Sequence, residues 1–306
     1  MHMSEKKCAH SLREWLFVTR FWSFAVSSMP VIVTFCYLLS LGMVPSGAAP
    51  YVNAVLALVG VVILHAAGNV LSDWADYKSG VDNEEAFAVP NLVFGKFKPR
   101  EYLVFSLILF VLGCATGLVL TIRCGLELLL IGGAGVLLTV LYSPLKFNAL
   151  GDLDIFIIFS VLIMLGTGFV VTGEVCPQVL VLALPVGIIT VSVLHANNTF
   201  DIESDGKAGI RTFAMLLGGR VSSKLYMAYM AVPFVSVAVA VAAGWVHPFA
   251  LLCFAAAPMA IKNARAASHF NTLGIGTMQG LDQGSAAMQT VFSGALSVGL
   301  VAAALI

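Results

Sequence analysis

Two short acidic stretches hold the residues of this sequence whose types and spacing best suit chemistry. They read NVLSDWAD over residues 69–76 and NNTFDIESD over residues 197–205. In each stretch an Asn precedes an Asp by four residues, and another Asp follows three or four residues later. On an α-helix these three polar side chains share one face. Carboxylates arranged in this way suit hard divalent cations, which prefer oxygen ligands.

The number of carboxylates indicates what such cations would hold. Magnesium prefers one or two carboxylates, with water and substrate phosphate oxygens completing its coordination shell, so the count suits about two Mg²⁺ ions that clamp a diphosphate. Basic side chains accompany both stretches and would neutralise the remaining phosphate charge. These bases are Lys78, Lys146, Lys207 and Arg211.

The composition indicates that both stretches belong to a membrane protein. The chain has 306 residues, of which 59% are hydrophobic and 10% are charged, and its mean hydropathy is +0.97. Soluble proteins carry about 25% charged residues, so that class is excluded. The net charge of zero shows no sign of nucleic-acid binding. The six cysteines have neither a metal-binding spacing nor a disulfide framework, and we interpret them as packing residues.

Apolar runs long enough to cross a bilayer predict an all-α polytopic membrane protein with about nine transmembrane helices in a single domain, residues 1–306. No removable signal peptide is expected, and no obligate protein partner is evident. The predicted spans are 22–43, 50–71, 102–122, 126–142, 154–173, 179–199, 224–245, 247–262 and 284–306.

The distribution of Lys and Arg predicts the orientation of these spans. With a cytoplasmic N-terminus, 15 of the 16 basic residues fall on the cytoplasmic side, and Arg123 is the exception. This asymmetry satisfies the positive-inside rule. The acidic stretches begin where spans two and six end, four crossings apart, so both emerge on that side. The spacing indicates a weak repeat of a four-helix unit, with two acidic helix ends facing one cavity.

Several other polar residues near the spans have structural interpretations. We interpret His65 and His195 as hydrogen-bonded packing residues, and Asp152 and Asp154 as residues at the membrane interface. The segment YSPLK, residues 142–146, places a phenol and an amine at the motif-bearing end of span four. Taken alone, that segment would be an interfacial anchor.

Both motifs and their positions resemble those of the UbiA-type intramembrane prenyltransferases, over nearly the whole chain. NNTFDIESDGKAGIRTFAMLLG, residues 197–218, is similar to the motif of the branch that prenylates 1,4-dihydroxy-2-naphthoate in menaquinone synthesis. DYKSGVDN, residues 76–83, resembles the first motif of that branch. Shorter similarities lie at 13–31, 142–156 and 281–296.

The resemblance implies helices around a central cavity, a cap of motif-bearing loops on the cytoplasmic side, and a place in a bacterial cell membrane. The implied substrates are a polyprenyl diphosphate and a small aromatic acceptor, 1,4-dihydroxy-2-naphthoate, and the implied cofactor is Mg²⁺. The implied metal ligands are Asp73, Asp76, Asp201 and Asp205, with Asp82 as a further candidate. The implied substrate-binding residues are Asn69, Lys78, Lys146, Asn197, Asn198, Lys207 and Arg211, while Tyr142 would border the reacting carbon.

Three alternatives stay open at this point. Another UbiA-type enzyme would use a different acceptor, such as 4-hydroxybenzoate, homogentisate, a porphyrin or a glycerol phosphate. A cation-coupled secondary transporter would also use membrane carboxylates, although transporters place them near the middle of their spans. Phosphatidyl transfer from a CDP-lipid uses clustered Asp and Mg²⁺, but its D-G-x-x-A-R-type motif is absent from the sequence.

Overall fold

The computed structural model describes residues 10–80 and 90–306, and within these ranges every regular element is helical. Eight helical stretches are long and apolar enough to cross a membrane. They coincide with eight of the nine predicted spans, so the all-α membrane class is confirmed. Two residues from distant loops, Asn148 and Arg211, form an isolated parallel bridge, in which the Arg211 amide donates to the Phe147 carbonyl at 3.1 Å.

In the part of the chain that the structure describes, nine long helices make up the body of the protein. They are α1 (Ala25–Ser40), α2 (Ala49–Ser79), α3 (Pro99–Cys124), α4 (Leu128–Phe147), α5 (Gly151–Thr172), α6 (Ala183–Phe200), α7 (Gly219–Ala242), α8 (Ala257–Ser268) and α9 (Leu281–Ala304). Short helices connect them or precede them: Leu12–Val18, Phe21–Ser23, Pro90–Val93, Pro177–Leu182, Ile202–Lys207, Phe213–Leu217, Pro248–Ala256, Phe270–Leu273 and Ile275–Met278.

The ninth predicted span, 247–262, is helical but differs from the other eight. It begins as the 3₁₀-helix Pro248–Ala256 and continues as α8, whose Lys262 and Arg265 make its second half too polar to count as a candidate span. It still runs antiparallel to α9 along most of its length. The backbone of Phe249 lies against Gly299, and the Asn263 side chain lies against Gly284, fifteen residues earlier on α9. The segment therefore traverses nearly the same depth as α9.

Two helix endings bring the acidic motifs into position. Helix α2 continues without a break through the first motif and ends at Gly80, whose φ of 77° is the left-handed conformation that glycine adopts without strain. Helix α6 ends at Phe200, within the second motif, and Asp201 separates it from the short helix Ile202–Lys207. Helix α6 lies between α7 and α9 and also packs against α5, so its end is held on several sides.

The close approach between α9 and the Pro248–Ala256 segment generates a stability prediction. A Cβ at Gly299 would overlap the backbone of Phe249, which cannot move without displacing the whole segment. We expect Gly299→Val to lower the free energy of unfolding by about 1–3 kcal/mol, the usual cost of overpacking. Thermal unfolding in detergent, followed by tryptophan fluorescence, measures the change.

Gly294→Val is the matched control, because it introduces the same residue into the same helix where no heavy atom lies within 4 Å of the added Cβ. Equal losses in both variants would show that the cost comes from valine in a helix rather than from contact with Phe249.

Candidate functional site

The first acidic motif is tied to the segment that precedes α1. The Asn69 side-chain amide donates to the Thr19 carbonyl at 3.0 Å and to the Ser23 hydroxyl at 3.3 Å. One turn later, the buried Asp73 carboxylate accepts a hydrogen bond from the Arg20 guanidinium. Arg20 has a left-handed backbone, with φ of 53°, which costs a residue other than glycine about 1–3 kcal/mol. These contacts hold that conformation and place the Arg20 side chain at the motif.

The third residue of this helical face, Asp76, is paired with a base on another helix. Lys146, in the last turn of α4, donates from Nζ to Asp76 Oδ2 at 3.3 Å, and both side chains are about nine-tenths buried. The other oxygen, Asp76 Oδ1, is buried with no protein partner. Tyr142 lies one turn before Lys146 on α4, deeper in the molecule. Asp76 therefore has one neutralised oxygen and one that is available to a ligand.

The second motif supplies further unpaired oxygens. The Asn197 amide donates to Asp201 Oδ2 at 2.9 Å, which links the end of α6 to the next short helix. Asp205 and Asn198 are 3% and 2% exposed, yet Asp205 Oδ2 and Asn198 Oδ1 have no hydrogen-bond partner in the protein. Buried oxygens without partners are costly unless a ligand, a cation or a proton satisfies them.

One cavity of about 840 Å³ joins the two motifs. Its polar end gathers seven of the predicted site residues, and its remaining wall is largely aliphatic and glycine-rich. The seven residues are Asn69, Asp76, Tyr142, Lys146, Asn197, Asp201 and Asp205. The predicted meeting of the two helix ends at one cavity is therefore present in the structure.

The other predicted residues lie elsewhere. Asp73 is buried behind Arg20, and Asn198 is buried on α6 away from the cavity wall. The bases Lys78, Lys207 and Arg211 are exposed on the same side of the molecule but do not line the cavity. Asp82 lies outside the described residues.

Two charged residues that line the cavity were absent from the predicted site. Arg20 directly precedes the first apolar run, and Asp282 lies in the first turn of α9. A sequence signal existed for each, since both belong to the shorter segments of similarity at 13–31 and 281–296. Neither belongs to an acidic motif, and only the packing of the helix ends places them beside the motifs.

Asp152 and Asp154, which we predicted to lie at the membrane interface, are buried within the protein. Asp152 Oδ2 lies 2.7 Å from His195 Nδ1, and His195 Nε2 lies 3.0 Å from the Ser222 hydroxyl. This network joins α5, α6 and α7 and makes His195 a hydrogen-bonded packing residue, as predicted. Both oxygens of Asp154 are buried without a protein partner. The early turns of α5 pack against α4 and α6, which removes these carboxyls from the surface.

The electrostatics of the polar end favour a bound cation. Among the described residues, four carboxylates line it, those of Asp76, Asp201, Asp205 and Asp282, together with the two cationic side chains of Arg20 and Lys146. Burial raises the pKa of Asp201 to about 6, which Lys146 opposes and the Asp282 carboxylate reinforces. Burial likewise raises the pKa of Asp205 to about 6, again against the effect of Lys146. Loss of water, more than repulsion, disfavours the ionised carboxyls.

The oxygen atoms at this end could supply only part of the coordination shell of a cation, so water or a substrate would have to supply the rest. In residues 10–80 and 90–306, no three His, Cys, Asp or Glu side chains converge closely enough to hold a metal alone. The unpartnered oxygens of Asp76 and Asp205 instead offer single contacts from opposite motifs. A hard divalent cation accepts such a site when water or phosphate oxygens complete its shell.

Comparison with known proteins shows which family and which proteins this chain resembles. Residues 30–270 match the model of the UbiA prenyltransferase family. UbiA prenyltransferase domain-containing protein 1 from Danio rerio is 31% identical over 236 residues, which cover 75% of this chain and 68% of that protein.

Two solved structures share the fold. A UbiA homologue from Aeropyrum pernix K1 superposes with a TM-score of 0.69 at 18% identity, covering 90% of this chain and 97% of the homologue. A UbiA homologue from Archaeoglobus fulgidus, bound to GPP and Mg²⁺, gives a TM-score of 0.65 at 16% identity, with coverage of 96% and 100%.

The buried Lys146–Asp76 pair generates a prediction about cation binding. Lys146→Gln leaves the Asp76 carboxylate buried without its base, which typically costs about 3–5 kcal/mol of stability. A divalent cation can replace the lost positive charge. We therefore expect Mg²⁺ to raise the melting temperature of Lys146→Gln more than that of the unmodified protein, as measured by differential scanning fluorimetry.

Lys78→Gln is the control, since it removes an exposed base from the last turn of α2. If Mg²⁺ stabilises Lys146→Gln no more than this control, the cation does not bind at Asp76.

Proposed function

Because this chain belongs to the UbiA prenyltransferase family, we propose that it transfers a polyprenyl chain from a polyprenyl diphosphate to an aromatic acceptor, with Mg²⁺ as cofactor. Family membership confirms the predicted resemblance at the level of the UbiA prenyltransferases and makes the protein a multi-pass membrane prenyltransferase. The observation that carries the proposal is the single cavity, which joins carboxylates of both motifs to a long apolar chamber.

Charge balance supports the requirement for Mg²⁺. Among the described residues, the four carboxylates that line the polar end outnumber its two bases, so this end would repel a diphosphate on its own. Asp76 and Asp205 present unpartnered oxygens and would hold the cations, with Asp201 beside them. When bound, the Mg²⁺ ions would neutralise the phosphate oxygens and stabilise the charge that develops on the leaving diphosphate.

The residues of this chain contribute the remaining parts of the reaction. Lys146 and Arg20 are positioned to donate hydrogen bonds to the diphosphate, and Arg suits bidentate contact with phosphate. As the carbon–oxygen bond breaks, negative charge grows on the diphosphate and an allylic cation forms. The aliphatic wall of the cavity keeps water away from that cation. Tyr142, one turn below Lys146, borders the position of the reacting carbon.

We infer that the acceptor is 1,4-dihydroxy-2-naphthoate, which would place the enzyme in menaquinone biosynthesis. The support is the similarity of residues 197–218 to the second motif of the enzymes that use this acceptor. An electron-rich ring carbon would attack the allylic cation, and the ring carboxylate would be lost as carbon dioxide. The transferred chain would then occupy the carbon that carried the carboxylate.

We further infer that the motif-bearing side faces the cytoplasm, because 15 of the 16 basic residues fall on that side. Lys78, Lys207 and Arg211 are exposed there and would attract the diphosphate before it reaches the cavity.

The carboxylates generate a prediction about catalysis. We expect Asp76→Asn combined with Asp201→Asn to lower kcat by at least about a hundredfold, because stabilisation of the leaving group is lost. Steady-state assays with purified protein, geranylgeranyl diphosphate, 1,4-dihydroxy-2-naphthoate and Mg²⁺ measure the change. Glu203→Gln is the control, since Glu203 lies between two motif aspartates but is exposed. Full activity in the double variant would refute the assigned roles.

The acceptor assignment is tested by a panel of aromatic substrates. The purified protein is given geranylgeranyl diphosphate and Mg²⁺ with 1,4-dihydroxy-2-naphthoate, 4-hydroxybenzoate or homogentisate, and the products are identified by mass spectrometry. We expect a decarboxylated, prenylated naphthalene product and at least about tenfold lower kcat/KM with the other rings. A preference for another ring would overturn the acceptor assignment alone, whereas no product with any ring would overturn the whole proposal.

A further inference from the structure

His65 extends the polar face of α2 beyond the first acidic motif, deeper into the cavity. It precedes Asn69 by four residues and Asp76 by eleven, so the three side chains lie on one face of the helix, and all three line the cavity. Phe159 of α5 also lines the cavity and meets the His65 ring edge to face, with the ring centroids 4.9 Å apart. This histidine belongs neither to the carboxylates that would hold the cations nor to the bases that face the diphosphate.

The hydrogen bonds of a neighbouring serine determine which ring nitrogen of His65 carries the hydrogen. Ser27 Oγ donates to the Phe24 carbonyl at 3.2 Å, and the same oxygen lies 3.0 Å from His65 Nδ1. A hydroxyl has one hydrogen to donate, so Ser27 must accept the second hydrogen bond, and Nδ1 is its donor. In the neutral ring, Nε2 therefore carries the lone pair.

The Nε2 atom lies on the side of the ring that faces the cavity. Among the described residues its hydrogen-bonding partner is Ser23, whose Oγ lies 3.5 Å away, at the limit of a hydrogen bond. Ser23 Oγ already donates its hydrogen to the Arg20 carbonyl at 2.8 Å and accepts one from the Asn69 amide at 3.3 Å. Ser23 lines the cavity, whereas Ser27 is fully buried and does not. The lone pair of Nε2 is thus left for a ligand in the cavity.

The level of His65 suits an aromatic ring rather than the diphosphate. Gly68 on α2 lies against Thr139 on α4, and both helices run toward the motif-bearing end. His65 precedes Gly68 by three residues and Tyr142 follows Thr139 by three, so about 9 Å of helix rise separates the levels of His65 and Tyr142. Two fused aromatic rings have a comparable length. A ring whose reacting carbon lies beside Tyr142 therefore directs a hydroxyl toward Nε2.

The other titratable groups of the cavity wall are less suited to accept a proton from such a ring. The carboxylates lie at the polar end, where the cations would bind, and Arg20 and Lys146 already carry a proton. Among the described residues, His65 is the only histidine that lines the cavity. Imidazole is the side chain that most often serves as a general base.

On the basis of the proposed function, we propose that His65 is its general base, and that Nε2 accepts the proton of a ring hydroxyl of the aromatic acceptor as the ring attacks the allylic carbon. The negative charge of the polar end stabilises the imidazolium that forms. Ser27 holds the ring in the required tautomer, and Phe159 fixes its orientation.

The electrons and protons of this step balance within the proposed reaction. The hydroxyl proton passes to Nε2, and the bonding pair stays on the ring oxygen. An electron pair of the ring forms the bond to the allylic carbon, while the bond from that carbon to the diphosphate breaks with both electrons leaving on the diphosphate. Loss of carbon dioxide from the substituted ring carbon returns an electron pair to the ring oxygen. That oxygen takes its proton back from His65, which ends the cycle neutral.

The first test compares two replacements of the ring. Asn keeps an amide donor near the position of Nδ1 and has no atom at Nε2, whereas Gln places there an oxygen that accepts a hydrogen bond but not a proton. We expect both His65→Asn and His65→Gln to lower kcat with geranylgeranyl diphosphate and 1,4-dihydroxy-2-naphthoate by at least about a hundredfold, as loss of a general base does. Isothermal titration should show that the Kd for geranylgeranyl diphosphate with Mg²⁺ changes less than about twofold.

His269→Asn is the matched control, because it makes the same change at an exposed histidine that does not line the cavity. If His65→Gln keeps kcat within about threefold of the unmodified protein, His65 only accepts a hydrogen bond and is not the base. An equal loss of donor affinity in both His65 variants would make His65 a structural residue and overturn the inference.

A second measurement uses the unmodified protein and does not depend on turnover or on the folding of a variant. Diethyl pyrocarbonate acylates imidazole nitrogens that have an available lone pair, so it should modify His65 but not His195, whose two nitrogens are both hydrogen-bonded. We expect 1,4-dihydroxy-2-naphthoate to slow the modification of His65 at least about fivefold, because its hydroxyl occupies Nε2. Peptide mass spectrometry measures the rate.

The controls for this measurement are 2-naphthoate, which lacks the hydroxyls, and inorganic diphosphate with Mg²⁺, which would occupy only the polar end. Each should slow the modification less than about twofold. Equal protection by the two naphthoates, or no modification of His65 in the absence of ligand, would overturn the inference.

These outcomes are distinguishable from failure of the proposed function. If the unmodified protein transfers the chain to an aromatic ring but the His65 variants keep its rate, only the assignment of the base fails. If the unmodified protein transfers the chain to no aromatic acceptor, the proposed function fails.

Discussion

The excess of buried negative charge at one end of the cavity is the constraint on which the rest of the structure depends. Carboxylates from α2, α9 and the segment after α6 converge there, and among residues 10–80 and 90–306 only Arg20 and Lys146 bring positive charge to the cavity wall. Burial of unbalanced charge is unfavourable, because a low-dielectric interior both strips water from each ion and strengthens repulsion between like ions. Divalent cations together with a diphosphate, as proposed above, would balance this charge and make the arrangement favourable.

The two bases are used in different ways. Lys146 comes from the end of α4 and reaches Asp76 while most of its length is buried. Arg20 comes from the segment before α1 and is held in a left-handed conformation next to Asn69 and Asp73. Each base joins two elements that are distant in the chain, so the charge pairs that prepare the site also orient the helices that form it.

Away from the charged end, the cavity is lined mainly by aliphatic residues and glycines rather than by charged side chains. Side chains of α6 that face neighbouring helices are small or aliphatic, and buried glycines let adjacent helices approach closely, as Gly187 does against Ser160 and Phe156. On α4 the glycines do the opposite, because they leave room that no neighbour fills. The same residue type thus serves tight packing at one helix contact and leaves unfilled space at another.

The sequence alone determined the membrane class, the helical content and most of the polar end of the site. Apolar length predicts a membrane-crossing helix directly, and the spacing of Asn69 and Asp76 places their side chains on one helical face through local geometry. The tertiary structure alone decided which faces meet. It brought Arg20 and Asp282 to the motifs, buried Asp152 against His195, and separated open glycines from packed ones. These outcomes depend on contacts between residues far apart in the chain, which the periodicity of a single helix does not encode.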